Sequence, residues 1–188
     1  MSERCCLTPA VLVTLALMLL HAGRALADFT VDRVQTRIEN EMLVMDAHID
    51  YAFSKVALEA LDNGVPLTLE VQIQLRRASA WMWEESLVDE RLRYVIRYKP
   101  LSERYTVTRL PGEEGKSYVT RDAAIAALGS IEGFQLMPKA KLHRHHDYVI
   151  ELRSSLDVEE LPLPLRPMAY LFPSWKLSTG WTRWPLKF

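Results

Sequence analysis

The stretch VPLTLEVQIQL constrains this chain more than any other. Val65, Leu67, Leu69, Val71, Ile73 and Leu75 alternate with Pro66, Thr68, Glu70, Gln72 and Gln74. Six apolar positions at a period of two cannot line one face of a helix. They require a long strand with one buried face and one polar face exposed to water. The same alternation places Leu43, Met45, Ala47, Ile49 and Tyr51 on one side of a second strand. Leu92, Tyr94, Ile96 and Tyr98 mark a third, and Tyr148, Ile150 and Leu152 a fourth. Weaker signals cover 29–38, 105–110, 116–120 and 134–142.

Two short helices interrupt the strands. SKVALEALDNG offers Ser54 as an N-cap, Val56/Ala60 and Ala57/Leu61 as i,i+4 pairs, and Gly64 as a stop. RDAAIAALGSIEG repeats that grammar, with Asp122 as cap, Ile125 and Leu128 on one face, and Gly133 closing. PGEEG is a turn, and LPLPLRP (161–167) is too rich in proline for a central strand, so it runs as an edge or connector. Many short alternating segments predict a mainly β chain, a two-layer antiparallel β-sandwich with two short helices. An α+β layer is the alternative.

The first 27 residues follow a different pattern. Arg4 precedes an apolar run of 14 residues, Leu7 to Leu20, and Ala25-Leu26-Ala27 offers small side chains where a signal peptidase cuts. The run is too short to span a bilayer core about 30 Å thick. Cleavage before Asp28 is therefore expected, leaving one domain over 28–188 in the periplasm. Cys5 and Cys6 leave with the signal, so the mature chain has no disulfide, thiol nucleophile or thiolate metal site. Losing Glu3, Arg4 and Arg24 leaves 21 basic and 23 acidic residues, a net charge of −2. That balance argues against a nucleic-acid partner, and no later segment has the length of a membrane span.

Few residues read as chemistry. Arg91, Arg93, Arg97 and Lys99 share one face of a strand, opposite Leu92, Tyr94, Ile96 and Tyr98. Such a stripe suits an anionic partner face, although charge runs also mark ordinary solvated surfaces. HRHHD places His143, His145, His146 and Asp147 in a polar turn, a weak hint of a metal site. Asp46, His48 and Asp50 on the polar face of their strand could serve acid–base chemistry, but no nucleophile is marked nearby. Trp81 and Trp83 read as covering a core edge. In WKLSTGWTRW, a turn at Ser178-Thr179-Gly180 predicts a closing hairpin with Trp175 and Trp181 buried against the core. No phosphate loop, dinucleotide fingerprint, zinc-protease motif or GxSxG elbow occurs. No cofactor is expected, nor are catalytic residues.

Four stretches together, LDNGVPLTLEVQIQLRR, LRYVIRYKPLSERYTVTR, SLDVEELPLPLRP and WKLSTGWTRW, resemble the proteobacterial exported family DUF4390, a domain of unknown function. The resemblance covers nearly all of the mature chain and implies no activity, cofactor or catalytic residue. It does imply a neighbourhood, since such genes often lie beside those for a membrane-bound sensor histidine kinase and a ribosomal-RNA cytosine methyltransferase. The expected function is a non-enzymatic periplasmic binding or accessory protein, with an envelope protein or anionic envelope component as partner. An envelope lipid- or glycan-binding protein with a cavity between its sheets is one alternative; an uncharacterised hydrolase is another.

Overall fold

A computed structural model describes residues 28–186 apart from Met82, Trp83, Glu113 and Arg144. The predicted signal segment lies outside these residues. The order of elements is β1 (Phe29–Glu39), β2 (Met42–Tyr51), α1 (Lys55–Asp62), β3 (Leu67–Arg77), β4 (Val88–Lys99), β5 (Arg104–Leu110), β6 (Gly115–Tyr118), α2 (Arg121–Leu128), β7 (Ser130–Pro138), β8 (Tyr148–Leu156), α3 (Arg166–Leu171) and β9 (Thr182–Pro185). All pairings among these strands are antiparallel. One sheet has three strands in the order β1-β2-β7, the other six in the order β6-β5-β4-β3-β8-β9. The chain is mainly β, with two antiparallel sheets, as the alternation predicts.

β3 sits at the centre of the larger sheet because its apolar face is unbroken. Leu67, Leu69, Val71, Ile73 and Leu75 are completely buried, together with Leu43, Met45 and Ile49 from β2. Burying a side chain of this kind contributes roughly 1.5–3 kcal/mol, and the facing rows from the two sheets make one shared core. Tyr51 on β2 and Ser154 on β8 join the sheets through a buried hydroxyl–hydroxyl hydrogen bond of 2.9 Å.

The two sheets differ by three strands, and at about 4.8 Å per strand that leaves some 14 Å of the larger inner face beyond the smaller sheet. Helices fill part of the overhang. Ser54 caps α1 by accepting from the Ala57 amide at 3.2 Å, as predicted. On α2 the cap is Thr120, two residues before Asp122, because its hydroxyl reaches the Ala123 amide at 3.3 Å. The helix closes at Gly129, four residues before Gly133. A Cβ at Gly129 would stand 2.0 Å from the Ile49 carbonyl oxygen, where the helix end is stapled to β2 by the Ile49 amide. Gly133, with φ +64, belongs to β7.

Other expectations need correction. The polar residues between β3's apolar positions are half-buried rather than exposed, and Thr68 is buried outright. A strand flanked on both sides is overlaid by its neighbours' long side chains. β3 starts at Leu67, leaving Val65 in the approach, and β7 spans Ser130–Pro138 instead of 134–142. The proline-rich connector runs into a third helix, α3, with Pro167 in its first turn, where a missing N–H costs nothing.

The C-terminal hairpin does not form. Leu177 to Thr179 and then β9 both pair with β8, through the Ser155/Ser178 bridge and the Leu152/Thr182 to Val149/Pro185 register. The turn residues at 178–180 therefore interrupt one edge strand. Trp175 is buried, whereas Trp181, beside Gly180 at φ +65, is 47% exposed. Trp81 is also exposed, contrary to a core-covering role, and Trp83 lies outside the described residues.

Candidate functional site

The outer face of the six-stranded sheet collects the predicted basic stripe. Register fixes its rows. Arg91, Gln72 and Arg153 lie side by side on β4, β3 and β8, so the two arginine Cα atoms are about 10 Å apart across the intervening strand. Arg93, Glu70 and Ser155 form the next row; then come Val95 with Thr68, Arg97 with Thr106, and Lys99 with Arg104.

The four stripe residues do not share one role. Arg93 is committed internally. Its guanidinium donates to Glu160 at 2.7 Å and lies 3.6 Å from Asp157, tying the turn after β8 onto the sheet. The bond to Glu160 holds its pKa above the usual arginine value. Arg91, Arg97 and Lys99 are exposed, and none has an ion pair among the described residues. On the same face Arg104 is exposed and Arg153 half-buried, and neither has an ion pair among the described residues. Sequence reading missed these two because they join the stripe through strand register. The available signal was parity, since Arg153 alternates with buried Leu152 and Ser154.

Acidic residues balance the other end of the face. Glu151 is 9% exposed, lying 3.7 Å from the Arg76 guanidinium and accepting from Arg183 Nε at 2.9 Å. Arg76 also donates to the Trp81 and Glu84 carbonyls at 3.1 and 2.8 Å. Gln74 donates to Asp89 at 3.2 Å. The net cationic part of the face therefore runs from Arg91 and Arg153 toward Lys99 and Arg104.

A second feature is the open cleft of about 720 Å³ left where the larger sheet overhangs, between β4–β6 and β7. Tyr94, Arg109, Lys116 and Tyr118 line one wall; Ser130, Glu132 and Phe134 line the other. The Arg109 guanidinium stands 5.7 Å over the Phe134 ring, within cation–π range. Burial raises the pKa of Tyr94, and Arg109 partly offsets it. Nothing in the sequence marked these residues, because Arg109, Lys116 and Phe134 come from three separate strands.

The remaining candidates are less organised. His48 Nε2 lies 3.5 Å from Asp50 Oδ1 beside a cleft of about 460 Å³, but among the described residues no hydroxyl is hydrogen-bonded to the imidazole. Asp46 is bound by Arg37 and by the Gly133 amide at 2.7 Å, so it does not join them. His143 and His146 stack edge-on at 6.1 Å in an exposed turn with His145. No cluster of three metal-ligating side chains occurs among the described residues.

These features define a class, a two-sheet β protein with one broad cationic face and a polar inter-sheet cleft. The model of the family described as a domain of unknown function, DUF4390, matches residues 27–185, and the chain belongs to that family. No curated protein and no solved structure matches it.

Proposed function

We propose that the chain is an exported, non-enzymatic binding or accessory module of the bacterial envelope. Its signal segment is removed before Asp28, and the outer face of the six-stranded sheet docks an acidic protein surface. The observation carrying this reading is the set of five cations on that face, Arg91, Arg97, Lys99, Arg104 and Arg153, with no ion pair among the described residues. Cations that a fold does not use for itself raise encounter rates with acidic partners and bias their orientation. The periplasmic part of a sensor kinase is the partner suggested by the family resemblance.

The test is capture from envelope extract, comparing the parent with an Arg91→Glu/Arg97→Glu/Arg153→Glu variant at low and high salt. The reading predicts a partner that the parent retains at low salt, that salt releases, and that the variant fails to retain. Equal retention by parent and variant at low salt would refute it. Because Arg93 is committed to Glu160, it is left intact.

The inter-sheet cleft favours a second reading, binding of a small polar ligand such as a glycan. Its volume falls within the roughly 300–1,000 Å³ of small-molecule sites, and its tyrosine and phenylalanine rings can stack on sugar faces. Tyr118→Ala should abolish binding in a glycan array if this reading holds, and leave partner capture unchanged.

A further inference from the structure

The large apolar side chains exposed among the described residues are unevenly distributed. Of eleven, only Trp81, Leu87 and Trp181 lie away from the end of the molecule where β3 begins and β4 and β8 finish. Leu101 tops the β4–β5 turn with its side chain fully in solvent, and Val119 follows β6 at the same end. Leu163, Met168, Leu171 and Phe172 come from the excursion between Leu156 and Leu177, whose backbones rejoin through a 3.0 Å hydrogen bond. Leu163 and Leu171 are 72% and 76% exposed. The outward surface of α3 carries a single charged residue, Arg166, and its Nε is held by the Leu161 carbonyl at 2.6 Å. A helix in water normally presents charges on that side.

Two further observations say what covers this pole. First, cations stand at one side of it. Lys99 and Arg104 flank the Leu101 turn, while the neighbouring acids are mostly committed: Asp157 and Glu160 to Arg93, Asp62 to Arg121 and Tyr105. Two exposed acids there are left without a cation among the described residues, Glu103 at the turn itself and Glu159, which accepts only from the Tyr170 hydroxyl at 3.3 Å. Second, the described chain begins here. Asp28 is hydrogen-bonded to the Ala52 amide, the Phe29 ring packs edge-on against Tyr51 at 4.7 Å, and Tyr51 bonds Ser154 just before the excursion leaves β8. The 27 residues preceding Asp28 contain the 14-residue apolar run. Seven residues, at most about 25 Å of chain, separate Leu20 from Asp28, so a bilayer holding that run would lie within reach of this pole.

We infer that this pole is a membrane-docking surface, which sets the side chains of Leu101, Leu163, Leu171 and Phe172 into the interface of an anionic phospholipid bilayer. Lys99 and Arg104 lie against the headgroups. The binding is peripheral, built from apolar insertion plus charge, and does not depend on the sheet-face reading. It would hold the chain at the membrane surface after the leader is gone.

The probe is vesicle co-sedimentation of the chain from Asp28 onward, which contains the whole described core. Vesicles of phosphatidylcholine with phosphatidylglycerol should bind it, and pure phosphatidylcholine should bind it more weakly. Leu171→Glu/Phe172→Glu should lower the partition coefficient roughly tenfold or more, with melting little changed because Leu171 is 76% and Phe172 48% exposed. Leu101→Asp, on a different element, should also weaken binding, which guards against misfolding of α3. Arg91→Glu/Arg153→Glu should leave partitioning within about twofold, since both lie mid-sheet. No vesicle binding at low salt, or equal binding by the Leu171/Phe172 variant, overturns the inference. Loss only in the Arg91/Arg153 variant would move the lipid contact to the sheet face and overturn it too. Concentration-dependent dimerisation abolished by Leu171→Glu, without vesicle binding, would assign the pole to a second copy.

Discussion

Trp175 and Trp181 lie six residues apart in one aromatic segment, and the structure predicts opposite consequences for their loss. Trp175 is 3% exposed and belongs to the shared core, in the turn that contacts α1 and α3. Truncating it to alanine removes a large buried ring and leaves a space that the ends of two helices cannot readily fill. The expected cost is about 3–5 kcal/mol. In a domain of this size 1 kcal/mol moves the melting temperature by roughly 2–4 °C, so Trp175→Ala should melt about 6–20 °C below the parent. Trp181, nearly half in solvent beside the break in the edge strand, should cost less than about 1 kcal/mol on the same substitution. Calorimetric melts of the two purified single variants measure the difference. Equal shifts, or a Trp175→Ala melt within a degree or two of the parent, would refute the assignment of Trp175 to the core.

Glu151→Gln should destabilise the fold by about 1–3 kcal/mol in urea titration, because Arg76 loses the carboxylate facing it in a largely buried site. Arg183, mostly in solvent, moderates the loss. Alkali should weaken the fold through tyrosine. Burial, and then the hydrogen bond to the Asp62 carboxylate at 2.8 Å, push the Tyr105 pKa up to about 12, and burial raises that of Tyr51 further. A raised folded-state pKa means the stabilisation is complete below the unfolded value near 10 and lost as pH climbs through the folded value. Denaturation midpoints should therefore fall between about pH 10 and 12, and Tyr105→Phe should flatten that fall. Intact mass of the secreted protein should match a chain starting at Asp28; recovery of the full-length species in membranes would contradict signal removal.

The central strands were legible because burial acts at the period of the backbone. Every apolar residue from Leu67 to Leu75 at that period is fully buried. Ser54 was legible for the same local reason, a hydroxyl three residues ahead of an amide it can cap. What failed depended on partners distant in sequence. WKLSTGWTRW carries turn chemistry, yet the free edge of β8 captured both of its halves and overrode the local hairpin. The polar residues of β3 looked solvated because nothing in the strand itself reveals neighbours on both sides. The basic stripe was visible on β4 alone. Its extension to Arg153 and Arg104, and the withdrawal of Arg93 by Glu160, required the register of β8 and the path of the turn that follows it.

The sheet face is the central claim, and position-specific photocrosslinking tests it most directly. A photoreactive residue in place of Gln72, between Arg91 and Arg153, would report on the face itself. One in place of exposed Gln35, on the smaller sheet, serves as control. In living cells the account predicts a discrete protein adduct from position 72, absent from position 35 and lost when Arg91 and Arg153 are reversed to glutamate. No adduct from position 72, or the same adduct from both positions, would contradict it.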